Sequence, residues 1–286
     1  MTTLTAIVLT KNEAIHIERA IRNLQGWAER IIILDSYSED NTAQLAESVG
    51  AEVIFRAFDN YKNQRQYAID YCKDKTEWVL FLDADETLLP GLKKEIMQAI
   101  KVSNVNGYYL SRRLYFMGRW IKHGGYYPTY LLRLFRPTYA SVDREINEHI
   151  VVTGVTKKLK HDFIHNDLKG IDAWIAKHNR YATLEARSLI QSMEETTHST
   201  TSFKQLFSPI STCRKTWIRE HIWNHLPLLI KPFIYFSYRY FFRLGFLDGR
   251  EGFIFHFLQG CWFWFLVDVK ALETLKANQE TVVQPE

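Results

Sequence analysis

The apolar run Trp78-Val79-Leu80-Phe81-Leu82 stops abruptly at two carboxylates one residue apart, Asp83 and Asp85. If the run is a buried strand, the two acids share one side at its carboxyl end, because side chains of extended chain alternate with period two. Open parallel sheets take ligands at that edge. Paired hard oxygen ligands there suit Mg²⁺ or Mn²⁺, and such an ion usually holds a substrate's phosphates. The competing reading makes Asp83 the start of a turn and Asp85 the cap of a following helix, which Pro90 and the amphipathic run from Leu92 to Ile100 predict.

The upstream pattern favours the ion. Leu4 to Thr10 reads as a buried strand, followed by the polar turn Lys11-Asn12-Glu13. Ile15, Ile17, Ala20, Ile21 and Leu24 fit one face of a helix. Ile31 to Leu34 is a second apolar run ending in Asp35, Thr42 to Val49 a helix stopped by Gly50, Glu52 to Phe55 a short strand, and Asn63 to Tyr71 another helix. Strands alternating with helices predict a doubly wound α/β domain with a mostly parallel sheet and helices on both faces. Right-handed winding then brings three polar strand ends together: Asn12 with Glu13, Asp35, and Asp83 with Asp85. From Gly107 to about Val155 the pattern changes. Strand-like pieces at Tyr108 to Arg112 and Leu131 to Phe135 flank a loop rich in Gly and Tyr, which predicts added, partly antiparallel strands. Lys160 to His165 reads as a further strand and Ile171 to Leu189 as helix.

With 286 residues the chain can build one large domain plus an appendage. A net charge of +4 is too small to imply a nucleic-acid partner. Cys72, Cys213 and Cys261 have neither metal-ligand spacing nor an even disulfide framework, so a reducing compartment is expected. Met1 to Lys11 lacks a basic segment and a long apolar core, so no signal peptide is expected. Neither a dinucleotide G-x-G-x-x-G nor a Walker sequence is present, which leaves phosphate neutralisation to a metal and to cationic side chains.

Thr10-Lys11-Asn12-Glu13, Asp35-Ser36-Tyr37-Ser38-Glu39-Asp40-Asn41-Thr42, Asn63-Gln64-Arg65 and Asp83-Ala84-Asp85-Glu86 follow one another as in family 2 glycosyltransferases with the GT-A fold, which the chain resembles from residue 4 to roughly residue 272. Gly124-Gly125-Tyr126-Tyr127-Pro128, Arg133-Leu134-Phe135-Arg136, Asn147-Glu148 and Gly245-Phe246-Leu247-Asp248-Gly249 resemble the branch that includes lipopolysaccharide core β-1,4-glucosyltransferases. That branch usually reads His-Glu where this chain has Asn147-Glu148. The resemblance implies an inverting transferase in which a sugar hydroxyl attacks the anomeric carbon of a nucleotide-diphospho-sugar. Glu148 would be the catalytic base, and Glu145, three residues away, could replace it on a helix. Asp35 would read the nucleobase, with a UDP-sugar as donor. Asn12 and Glu13 would wall the nucleoside pocket. Asp85 is the first choice for direct metal contact, with Asp83 helping from the ribose or metal side. Arg65 would reach the diphosphate or close the base pocket, or else be a solvated helix-face arginine.

His161 and His165 share a face if their segment is extended. His165 is the better placed as an added metal ligand, as some GT-A enzymes have, although a lone histidine is more often a packing residue. His123 could line the acceptor mouth. Trp120, Tyr126 and Tyr127 could stack on sugar rings or simply pack in the loop. Arg133 and Arg136 could meet phosphate or pair with nearby acids.

The C-terminal third is aromatic. Between Leu226 and Phe246, Lys231, Tyr235, Arg239 and Arg243 recur at i+4 opposite Leu229, Ile230, Phe233, Phe236, Phe241 and Leu244, the pattern of a helix lying in a membrane interface. Pro227 and Pro232 disfavour one straight span. Packing on the catalytic domain, a homo-oligomer contact and a true membrane hairpin are the alternatives. The expected organisation is a catalytic domain over residues 1–192, a mobile connector over 193–212, membrane-associating helices over 213–275 and a polar tail over 276–286. The expected setting is the cytoplasmic face of the inner membrane, peripheral or monotopic, with a saccharide or lipid-linked acceptor. Two other functions compete: a nucleotidyltransferase, which would normally carry a Gly-rich basic loop near the N-terminus, and a membrane-docked scaffold without turnover.

Overall fold

The computed structural model describes residues 3–143, 150–195 and 226–283. The chain divides into two compact units, one of residues 1–122 with 126–168, the other of residues 123–125 with 169–286.

In the first unit the strands β1 (Leu4–Thr10), β2 (Arg30–Asp35), β3 (Glu52–Phe55) and β4 (Trp78–Asp83) are all parallel, in the order β3-β2-β1-β4. Helices α1 (Ala14–Leu24), α2 (Thr42–Ser48) and α3 (Tyr61–Cys72) make the crossovers. The β4 run is uniformly apolar because both of its faces are covered. Trp78, Leu80 and Leu82 join Ile17, Ile21 and Leu24 of α1 in one core, while Val79 and Phe81 join Ala68, Ile69 and Cys72 of α3 in the other. Each such fully buried large side chain stabilises by about 1.5–3 kcal/mol.

Beyond β4 the sheet is mixed. The chain turns at residues 84 and 85, then forms β5 (Glu86–Leu88), α4 (Pro90–Ala99), β6 (Gly107–Phe116), β7 (Arg119–Ile121) and β8 (Thr129–Phe135). It ends in β9 (Ala140–Val142), β10 (Ile150–Val152) and β11 (Thr156–Asn166). Strand β8 lies antiparallel between β4 and β6, β11 runs parallel to β6, and β5 is antiparallel to β11. The short β9-β10 pair adds Ala140, Val142 and Ile150 to the α3 core. Helix α4 opens on Pro90 after Leu89, which makes no side-chain cap, so the capping role considered for Asp85 does not apply.

The second unit is helical, with α5 (Gly170–Glu195), α6 (Lys231–Ser237), α7 (Gly249–Phe257) and α8 (Phe263–Val283). A π-helical turn, Tyr238–Phe242, extends α6, and another, Leu258–Trp262, joins α7 to α8. Ala182, Ala186 and Ile190 of α5 pack on Phe263, Val267 and Ala271 of α8. That packing places α5 in this unit, although the sequence boundaries put most of it in the catalytic domain. From residue 196 the expected connector lies outside the described residues, and α8 runs through most of the expected polar tail. The expected basic face also differs. Lys231 is buried and Leu244 takes a left-handed φ of 59°, so one helical wheel does not continue through Arg243.

Candidate active site

Because β2, β1 and β4 are neighbours and parallel, their carboxyl ends meet. Thr10 is level with Asp35 and Leu9 with Asp83. Asp35 is fully buried. Its Oδ2 accepts from the Thr10 hydroxyl at 2.7 Å and the Ser38 hydroxyl at 2.6 Å, and its Oδ1 from the Ser38 N–H at 2.7 Å. The carboxylate therefore shapes the 36–38 loop and shows no surface of its own to a base. Asn12 adopts a φ of 56°, a conformation asparagine tolerates better than most residues. Its N–H donates to Ser38 Oγ at 2.8 Å, and its Oδ1 accepts from the Glu39 N–H at 2.8 Å. The Glu13 N–H donates to Thr42 Oγ1 at 2.8 Å. Glu13 Oε2 lies 2.7 Å from Nδ1 of the buried His16, whose Nε2 accepts from the Leu168 N–H at 2.8 Å. That acceptor role leaves the proton on Nδ1, facing Glu13.

The turn at 84–85 sends the acidic pair to different partners. Asp83 Oδ1 accepts from Arg65 at 3.2 Å and Oδ2 from Arg133 at 2.7 Å, and the side chain remains 38% exposed. Arg65 is buried, with its guanidinium 5.6 Å from the Phe81 ring centre, so the solvated-face reading of this residue fails. Asp85 Oδ1 instead lies 3.2 Å from Nδ1 of His165. The third member of that cluster is Glu86, which sequence reasoning did not single out. Its Oε1 accepts from Arg133 at 2.8 Å and its Oε2 from the Asp83 N–H at 2.9 Å, and it is fully buried. Ligand atoms of Asp85, Glu86 and His165 all lie within 4.8 Å of one another, a group with the geometry to hold a metal ion. Two carboxylates and an imidazole are a donor set that fits a divalent cation. Asp83 stands outside this group, beside it.

Arg112, also missed, completes the surroundings. It interacts electrostatically with Glu86, Asp83, Asp85 and Arg133, and its buried Nε has no hydrogen-bond partner among the described residues. The signal was present in Ser111-Arg112-Arg113: strand alternation must turn one of two adjacent arginines inward. Desolvation acts to raise the Asp83 carboxyl, but Arg133 and Arg65 outweigh it and hold the group well below the usual carboxylate range. Burial, reinforced by Asp83 and Asp85 and opposed by Arg133, lifts Glu86 to about 7. Burial lowers His165, but Asp85 and then Glu86 more than compensate and raise it.

The remaining candidates are elsewhere. His161 pairs with Glu95 at 2.8 Å, within the irregular stretch of the β11–β6 register between Lys158 and Asp162. Arg136 pairs with Glu77 at 3.1 Å and covers Trp78. Trp120 and Tyr127 pack edge to face at 5.0 Å, with Arg113 over Trp120 and Asp162 bonded to Arg113 and Tyr127. His123, in the second unit, gives its N–H to Asp248 at 2.8 Å and sets Nδ1 2.6 Å from the same carboxylate. Glu145 and Glu148 lie outside the described residues.

Comparison with known proteins defines the class. The model of glycosyl transferase family 2 matches residues 5–156, and the chain belongs to that family. It is 31% identical to a glycosyltransferase of Rickettsia bellii over 201 residues, which cover 66% of this chain and 68% of the relative. It is 27% identical over 235 residues to the lipopolysaccharide core biosynthesis glycosyltransferase LpsC of Rhizobium meliloti, covering 77% of this chain and 83% of the relative. Among solved structures, mannosyl-3-phosphoglycerate synthase from Rubrobacter xylanophilus matches with a TM-score of 0.35 at 23% identity, over 39% of this chain and 40% of that one. The protein is thus a glycosyltransferase, and the nucleotidyltransferase and scaffold readings give way.

Proposed function

We propose that this glycosyltransferase is metal-dependent and inverting. It moves a hexose, glucose by the branch resemblance, from a UDP-sugar to a saccharide or lipid-linked acceptor in lipopolysaccharide or related cell-envelope polysaccharide synthesis. The observation that carries the reading is the meeting of Asp85, Glu86 and His165 with Arg133 and Arg112 at the carboxyl edge of the sheet. A cation site beside fixed positive charge is what a departing diphosphate needs. The likeness to LpsC supports the lipopolysaccharide setting.

In this proposal Asp85, Glu86 and His165 hold Mg²⁺ or Mn²⁺, which when bound neutralises charge on the leaving diphosphate. Asp83, fixed by Arg65 and Arg133, faces the ribose side of the donor. Asn12 and Glu13 wall the nucleoside pocket, and Asp35 contributes by fixing Ser38 and Thr10. Glu148 takes the proton of the acceptor hydroxyl as its oxygen bonds to the anomeric carbon, and UDP departs with the electrons of the broken bond. The enzyme works at the cytoplasmic face of the inner membrane, where a lipid-linked acceptor is presented.

A hydrolysis screen across nucleotide-sugars tests this. Slow UDP release from UDP-glucose with Mn²⁺ or Mg²⁺, lost on adding EDTA, is the expected result. Release unchanged by EDTA overturns the metal. Glu148→Gln should abolish transfer to the acceptor and leave UDP binding intact, and near-normal turnover removes Glu148 from the mechanism.

A further inference from the structure

The described part of the second unit reverses the polarity of a water-facing helical bundle. Four of its ionisable groups, Lys231, Asp248, His256 and Asp268, point inward. Lys231 is 7% exposed, and Asp268 is buried and accepts from the Leu229 N–H at 2.8 Å. Asp248 and His256 are buried as well, with Asp248 tied to His123. Many of its aromatic side chains point outward. Phe233, Tyr238 and Phe242 on the α6 arm are exposed, Phe242 to 78%, and so are Phe253, Phe257 and Phe265 on the α7–α8 arm. The two stripes are one surface. The Phe233 and Phe265 rings meet edge to face at 6.0 Å, and Phe236 of α6 meets exposed Phe257 of the other arm edge to face at 6.0 Å.

The buried charges are paired, Asp248 with His123 and Asp268 with Lys231, so in water the outward face carries the cost: each aromatic left outside forgoes the burial of a large apolar area. Contiguous exposed apolar surface marks an interaction face. A lipid neighbour removes that cost. The stretch Gly245–Asn278 is long and apolar enough to cross a membrane. Asp248, His256 and Asp268 interrupt it, however, and the α6 arm with its π-helical turn, residues 231–242, is only about 18 Å long against a hydrocarbon core of about 30 Å. Such arms suit the plane of one leaflet. Arg243 and Arg250, the latter 81% exposed, bracket the apolar turn at Leu244, Phe246 and Leu247. Cations beside an apolar turn match phosphate headgroups above acyl chains.

We propose that this aromatic face lies in the interfacial layer of an anionic phospholipid bilayer, with the phenyl rings at the acyl boundary and Arg243 and Arg250 on headgroup phosphates. The inference deepens the membrane part of the proposed function and rests on it, but its test involves neither nucleotide nor sugar. Full-length protein is mixed with vesicles of phosphatidylethanolamine and phosphatidylglycerol and floated on a density gradient. The wild type floats with the vesicles and stays bound in high salt. Phe242→Ser combined with Phe265→Ser lowers the vesicle-bound fraction at least ten-fold at limiting lipid, with circular dichroism and melting unchanged. Arg243→Gln with Arg250→Gln weakens binding to these vesicles but not to phosphatidylcholine alone. Wild-type protein that stays in the aqueous fraction overturns the proposal, as does a double Phe variant that floats as well as the wild type. A stable dimer in vesicle-free buffer that dissociates on the same Phe substitutions also overturns it and assigns the face to a second copy. Failure here leaves the hydrolysis screen untouched, so the two readings fall separately.

Discussion

Arg133 is the hinge of the site's electrostatics, since one guanidinium nitrogen serves both Asp83 and Glu86. Arg133→Met leaves a buried carboxylate without its cation. It should cost about 3–5 kcal/mol in urea denaturation, the range for breaking one side of a buried pair. Glu86 gives a second test. Its folded pKa of about 7 lies above its ordinary value of 4.5, so folding favours the protonated form. Its stabilising contribution is complete below the ordinary value and is lost as pH rises through about 7, and the upward shift of His165 acts in the same direction. Asp83 has the opposite sign, but its window lies at acid pH, below the ordinary carboxylate value. The melting temperature of metal-free protein should therefore fall between about pH 5 and pH 8, and Glu86→Gln should flatten that fall. At this scale the sequence showed which acids gather at the strand end. It did not show that Glu86 would turn inward, because alternation past Asp83 gives way to a turn whose direction depends on β11 and Arg133.

At the scale of elements, the βα alternation up to β4 was legible because each strand and helix carries its own period, and burial on both faces explains the unbroken apolar run. The pairing of β8 between β4 and β6, and of β11 with both β6 and β5, was not legible. Those partners are far apart in sequence and no local pattern names them. The wheel over Leu226 to Phe246 misled for a related reason: it assumed continuous α-helix where a π-helical turn and a left-handed Leu244 intervene. Gly124 tests how tightly its loop is built. It has a φ of 66° and gives its N–H to the Arg243 carbonyl at 2.9 Å, and a Cβ there would overlap the buried His256 ring. Gly124→Ala should destabilise by about 1–3 kcal/mol through overpacking and backbone strain, read as a lowered melting temperature. Gly118→Ala, at a φ of 78° with open space around it, carries the strain alone and should cost less.

For the whole molecule, composition indicated an aromatic C-terminal third but not its polarity. Hydropathy counts residues without saying which way they face, and Lys231 with Asp268 went inside while Phe242 went out. The division into units was likewise hidden, because α5 has the apolar spacing of any amphipathic helix and only its fit to α8 decides where it belongs.

The loops after β1 and β2 are stitched to each other before any ligand arrives. Lys11 reaches the Tyr37 carbonyl at 2.7 Å, Asn12 trades bonds with Ser38 and Glu39, and the Ala14 N–H meets Asp40 at 3.1 Å. A doorway braced in advance charges its visitor little entropy, and it refuses misfits at the threshold because it cannot mould itself around them. If these loops wall the nucleoside as proposed, discrimination among bases falls on entry, ahead of any bond making or breaking.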